Sequence, residues 1–73
     1  MSIADIWKRL NTEQRGRLMA LTIQDGISAS TARNYLTGYR RPMKLYRESI
    51  AGHVNSLLGE IHFCEDLFPE KVS

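Results

Sequence analysis

Gly26, Gly38 and Gly59 each stand directly after a run of apolar residues at helical spacing, and this punctuation constrains the chain more than any other feature. Leu18, Met19, Leu21 and Ile23 precede the first; Ala32, Tyr35 and Leu36 the second; Tyr46, Ile50, Val54, Leu57 and Leu58 the third. Apolar side chains recurring every three or four residues form the buried stripe of an amphipathic helix. Glycine just beyond the last of them closes the helix in a left-handed conformation. Strict alternation, the mark of a strand, is confined to Ile61-His62-Phe63-Cys64. The pattern predicts an all-α fold, a compact bundle of about five short helices. They are expected near 3–10, 13–25, 29–37 and 45–58, with a shorter one within 60–68, where a strand is the alternative.

Local signals agree with these bounds. Ser2 can cap the first helix, with Asp5 in its first turn, and Ile3, Ile6, Trp7 and Leu10 make its apolar stripe. Asn11 and Thr12 break that pattern and offer a new cap. Gly16 weakens the second helix by roughly 1 kcal/mol relative to Ala. Ser28 suits the cap of the third, and Pro42 keeps the chain from resuming a helix at once after Gly38. The expected core includes Ile6, Leu10, Leu21, Ile27, Leu36, Ile50, Val54, Leu57 and Leu67, with Trp7 as an anchor.

At 73 residues the chain amounts to one domain, 1–73, near the lower limit for a core that folds without staples. Its one cysteine, Cys64, rules out an internal disulfide and a zinc site of the two-plus-two cysteine type. Stability must come from helix packing, aided by dimerisation where it occurs. A free thiol fits a reducing compartment. Asp5, Lys8 and Arg9 interrupt the first apolar stretch before it reaches signal-peptide length, and no run approaches a membrane span. The expected location is the cytoplasm, with no membrane partner.

Charge is distributed unevenly. The net charge is only +2, but no Asp or Glu occurs from Gly26 to Arg47, where Arg33, Arg40, Arg41, Lys44 and Arg47 all fall. After Arg47 the sign reverses, with Glu48, Glu60, Glu65, Asp66 and Glu70 against Lys71 alone. A basic middle and an acidic tail suggest one face for a polyanion and another kept away from it; a solvated charged surface is the plain alternative.

The stretch from Asp25 to Pro42 carries the functional expectation. Two short helices joined by a tight glycine-containing turn make a helix-turn-helix. On the third helix Ala32, Tyr35 and Leu36 share one face, while Ala29, Ser30, Arg33, Asn34 and Thr37 share the other. Arg can grip guanine O6 and N7 with two bonds, and Asn can grip adenine N6 and N7 likewise. Small residues at Ala29 and Ser30 let the helix approach base edges. Arg40, Arg41 and Lys44 follow, where the chain would emerge beside phosphates, contacts that position without reading sequence.

Gly26-Ile27-Ser28-x-x-Thr31, followed by Gly38-x-Arg40-x-Pro42, resembles the helix-turn-helix signature of the phage Cro and repressor (XRE) family. Ile50-Ala51, Leu57-Leu58-Gly59 and Asp66-Leu67-Phe68-Pro69 are similar to its later helices and ending. The resemblance implies a lambda-repressor-like bundle with the third helix as recognition helix, in a dimeric transcription regulator. It puts Ala29, Ser30, Arg33, Asn34 and Thr37 against bases, and Ser28 and Thr31 near phosphate. The chain departs from the family pattern with Thr22 at a position usually small, Asp25 where an apolar residue is usual, Ala32 in place of a β-branched residue, and no Thr-Gln start beside Leu18.

Other signals are weaker. His62 and Cys64 stand too close for a usual structural zinc pair with His53, so no metal is expected. No phosphate loop, nucleophile-base pair or framed pair of acids points to an enzyme or a cofactor. Tyr39 could stack on a sugar or cover the bundle, the second being favoured. Two function classes remain: a regulator of double-stranded DNA, and a protein-interaction module on the same scaffold without DNA affinity. For the regulator a homodimer is expected through segment 60–68, with Ile61, Phe63, Leu67 and Phe68 as candidate interface.

Overall fold

The computed structural model describes residues 1–70 and contains five helices: α1 Ile3–Arg9, α2 Thr12–Gln24, α3 Ala29–Leu36, α4 Lys44–Leu58 and α5 Cys64–Leu67. No strand occurs among the described residues. The all-α expectation therefore holds, and each helix bound lies close to the one read from spacing. The Cα radius of gyration is 11.0 Å. A single packed domain of this length has a value of about 11 Å, so the helices form one unit.

Side chains close the starts of the first three helices. Ser2 Oγ accepts the Asp5 N–H while Asp5 accepts the Ser2 N–H, and Asn11 and Gln14 repeat this reciprocal box on α2. Ser28 Oγ accepts the Thr31 N–H at the start of α3. Gly26 (φ +91°) turns the chain between α2 and α3. Gly38 (φ +83°) turns it after α3, and a Cβ there would lie 3.0 Å from the Ala4 Cβ. That glycine allows α1 to approach the end of α3.

The core joins Ile3, Ile6 and Leu10 to Leu18, Leu36, Ile50, Ala51, Val54, Leu67 and Phe68. Trp7 is half-buried against this cluster, with the Arg15 guanidinium 5.2 Å from its ring centre. Ile27 is buried beneath the turn. Two expected core residues, Leu21 and Leu57, are only half-buried and edge a shallow depression between α2 and α4. The reason is angular. Leu18 and Thr22 point to the centre of the bundle, and Leu21 lies about 60° away from Leu18 on a helix of 3.6 residues per turn. Ile23 lies about 140° away and is exposed, against the expectation that it joins the core.

Thr22 is fully buried. Its hydroxyl donates to the Leu18 carbonyl at 2.8 Å, so the polar atom is satisfied within its own helix. The short helix expected within 60–68 is α5, Cys64–Leu67, and 60–63 carries neither helix nor strand. Leu67 and Phe68 are buried and close the monomer core, which removes them from any interface; Ile61 and Phe63 are exposed.

Candidate nucleic-acid interface

The geometry of α3 follows from its amphipathic spacing. Ala32 and Leu36 are buried, and Tyr35 is half-buried with its ring centre 6.3 Å from that of Tyr46 on α4. Ala29, Ser30 and Arg33 are exposed on the other side; Asn34 and Thr37 are half-buried. The helix is eight residues long. Thr37 caps its end, and its hydroxyl donates to the Arg33 carbonyl at 2.7 Å. Ser28 is exposed and donates to Thr31 Oγ1 at 3.0 Å, while Thr31 is half-buried. Ser28 Oγ thus both accepts and donates within the cap, and the Thr31 hydroxyl proton is the donor this pair leaves unused among the described residues.

Asp25 sits in the same turn, and its Oδ2 lies 3.0 Å from His53 Nε2 on α4. The pair ties the α2–α3 connection to the longest helix of the bundle. Sequence reading missed it, because nothing in local spacing relates residues so far apart in the chain.

Arg40, Arg41 and Lys44 are exposed beyond α3. The Arg40 N–H donates to the Asn34 carbonyl at 3.0 Å, which folds this loop back against the helix. Arg41 donates through Nε to the Phe68 carbonyl at 3.4 Å, and Arg47 donates to the Pro42 carbonyl at 2.7 Å. Among the described residues the side chains of Arg33, Arg40 and Lys44 make no hydrogen bond or ion pair. Tyr39 is 79% exposed, so it does not cover the bundle. Together with Arg40 and Arg41 it lines a cleft of about 470 Å³ beside Ser2, Ala4 and Pro69.

The first turns of the helices show where negative charge is missing. α1 carries Asp5 there, α2 Glu13 and α5 Glu65 and Asp66. α3 and α4 carry none. Helix amino ends favour acids, so those of α3 and α4 keep uncompensated positive potential; Lys44 opens α4, while Arg33 stands in the last turn of α3 and Arg40 in the loop between the two helices.

The histidines have partners of their own. His62 lies 2.8 Å from Glu60, which also accepts two bonds from Arg9 at 2.7 and 2.9 Å. The His62 hydrogen bond, followed by that of Arg9, holds the Glu60 carboxyl below the usual range. Among the described residues no three or more of His, Cys, Asp and Glu gather as a ligand set.

No family model, curated protein or solved structure matches this chain. No helix among the described residues is long and apolar enough to cross a membrane.

Proposed function

We propose that this chain is a sequence-specific regulator of transcription that binds duplex DNA, in the manner of the phage repressors and Cro that its sequence resembles. In this reading α2, the turn and α3 form a helix-turn-helix. Ala29, Ser30, Arg33, Asn34 and Thr37 face base edges in the major groove. Ser28, Thr31, Arg40, Arg41 and Lys44 lie along the phosphates. The observation that carries it is the exposed, unpartnered basic set Arg33, Arg40 and Lys44, in a stretch where neither α3 nor α4 has an acid in its first turn. A ledge of positive potential with small residues at its front suits a polyanion with readable edges. The protein would act in the cytoplasm, without cofactor or metal.

The working unit in this proposal is a homodimer. One eight-residue helix makes few base contacts, and two copies on a two-fold axis double them. Ile61 and Phe63 are the apolar side chains left for that interface once Leu67 and Phe68 are assigned to the core.

Binding selection from random duplexes tests the proposal. The expected result is an enriched, two-fold symmetric motif bound with an affinity that falls steeply as salt rises. Retention that ignores salt, with no motif enriched, favours the second reading, a protein-interaction module. The exposure of Met43, Leu45, Ile61 and Phe63 is the observation on its side.

A further inference from the structure

A cleft of about 600 Å³ separates one face of α4 from the chain that follows it. Lys44, Arg47, Glu48 and Ala51 recur at helical spacing and form its α4 wall, while Phe63 and Phe68 stand on the other side. Ala51 and Phe68 are buried and give it an apolar floor. Small-molecule sites fall between about 300 and 1,000 Å³ and are apolar with a few convergent polar groups. The size and the floor of this cleft fit that description.

Its charges are balanced but not joined. Arg41, Lys44 and Arg47 line the cleft together with Glu48, Glu65 and Glu70. Among the described residues no ion pair links the two sets. Arg41 and Arg47 each donate to a backbone carbonyl, that of Phe68 and that of Pro42. The neighbouring His62 imidazole is engaged by Glu60. Lys44 and Glu48 stand one helical turn apart, a spacing that sets Cβ atoms about 5–6 Å from each other. Glu13 and Arg17, at the same spacing on α2, bridge at 3.3 Å. Lys44 precedes Glu48, the weaker order for such a pair, and both side chains are left exposed at the cleft.

We propose that this cleft binds a free α-amino acid with a large apolar side chain. A simple organic anion would face the three carboxylates, and an amine the three cations; a zwitterion is matched by both sets. The ligand carboxylate takes Lys44 and its ammonium takes Glu48, two charge-assisted bonds whose partners stand side by side on one helix face. The apolar side chain lies over Ala51 and Phe68. Lys44 is also one of the phosphate contacts proposed above. The amino acid is therefore an effector that withdraws Lys44 from the DNA backbone and loosens the complex, a step that rests on the DNA reading.

Titration of the DNA-free protein with L-phenylalanine, followed by calorimetry and by amide chemical shifts, tests the site. Saturable binding is expected at millimolar concentration or below, with the shifts grouped around Ala51 and Phe68. Phenylacetate, which lacks the ammonium, and phenethylamine, which lacks the carboxylate, should each bind more weakly by about tenfold or more, the loss of one charge-assisted bond. Lys44→Met and Glu48→Gln, both at exposed positions, should weaken L-phenylalanine by a similar factor while the helical signal is kept. Phenylacetate binding as tightly as L-phenylalanine would overturn the zwitterion assignment. No saturable binding of either L-phenylalanine or L-leucine would overturn the site. With the selected duplex present, L-phenylalanine should lower DNA affinity for the wild type and not for Glu48→Gln. A protein that binds both ligands with no effect of one on the other overturns the effector role. One that binds the amino acid and no duplex supports the site and removes the DNA reading instead.

Discussion

His53, in the middle of α4, holds Asp25 in the turn between α2 and α3 at 3.0 Å, with each side chain about one-quarter exposed. The two residues connect the start of the proposed reading helix to the helix that spans the bundle. Removing either leaves the other half-buried without its partner. His53→Ala is expected to lower stability by about 1–2 kcal/mol in urea unfolding, while His53→Gln, which keeps a donor, loses less. If α3 reads DNA, His53→Ala also narrows the gap between preferred and random duplexes, because the angle of α3 is no longer held. Equal stability for wild type, Ala and Gln variants would show that the pair contributes nothing.

The two groups of proposed DNA contacts differ in what their loss should do. Arg33→Ala and Asn34→Ala are each expected to cost about 1–3 kcal/mol on the preferred sequence and to relax choice at one base pair. Arg40→Ala should weaken binding to every sequence and reduce the salt slope by about 1. Arg41 is partly engaged by the Phe68 carbonyl, so Arg41→Ala should also disturb the seating of the chain end. Titrations on selected and random duplexes at several salt concentrations separate these effects. Identical behaviour of the Arg33 and Arg40 variants on both duplexes would falsify the division.

Gly16 and Gly38 should respond oppositely to alanine. Gly16 lies inside α2, exposed, with no atom within 4 Å of a Cβ position. Gly16→Ala is expected to stabilise the fold by about 0.5–1 kcal/mol. At Gly38 the new Cβ meets Ala4 at 3.0 Å on a backbone with φ +83°. Gly38→Ala is expected to destabilise by at least about 1–2 kcal/mol from the left-handed backbone alone. Thermal or urea unfolding of the two variants checks the sign of each.

Glu60 gives the fold a defined acid response. Its carboxyl is held below the ordinary range by His62 first and Arg9 second. A depressed folded-state value means that the ionised form binds its partners in the native state. Its contribution is therefore present above the unfolded carboxyl range and is lost as pH falls through the folded value. Glu60→Gln should be less stable than wild type near neutral pH, and the difference should shrink below about pH 4, under the ordinary glutamate range. A constant difference from neutral to strongly acidic pH would exclude this origin.

The helical period, the glycine stops and the Ser2, Asn11 and Ser28 caps determined the order and approximate bounds of the helices, because those signals act within a few residues of each other. The exposed face of α3 was legible for the same reason: its wheel depends only on spacing once Ala32 and Leu36 turn inward. Tertiary structure decided what depends on the angles between helices. It placed Leu18 and Thr22, and not Leu21, at the centre of α2's buried face, and it turned Ile23 outward. It divided the apolar residues of 60–68 into Leu67 and Phe68, which fill the core, and Ile61 and Phe63, which do not. Composition treats those four alike, since hydrophobicity is a property of the residue while burial depends on which neighbours arrive. It also brought together Asp25 with His53, Glu60 with Arg9, and Asn55 with His62. A polar residue in isolation looks suited to solvent. Only packing supplies the partner that makes its half-buried position stable.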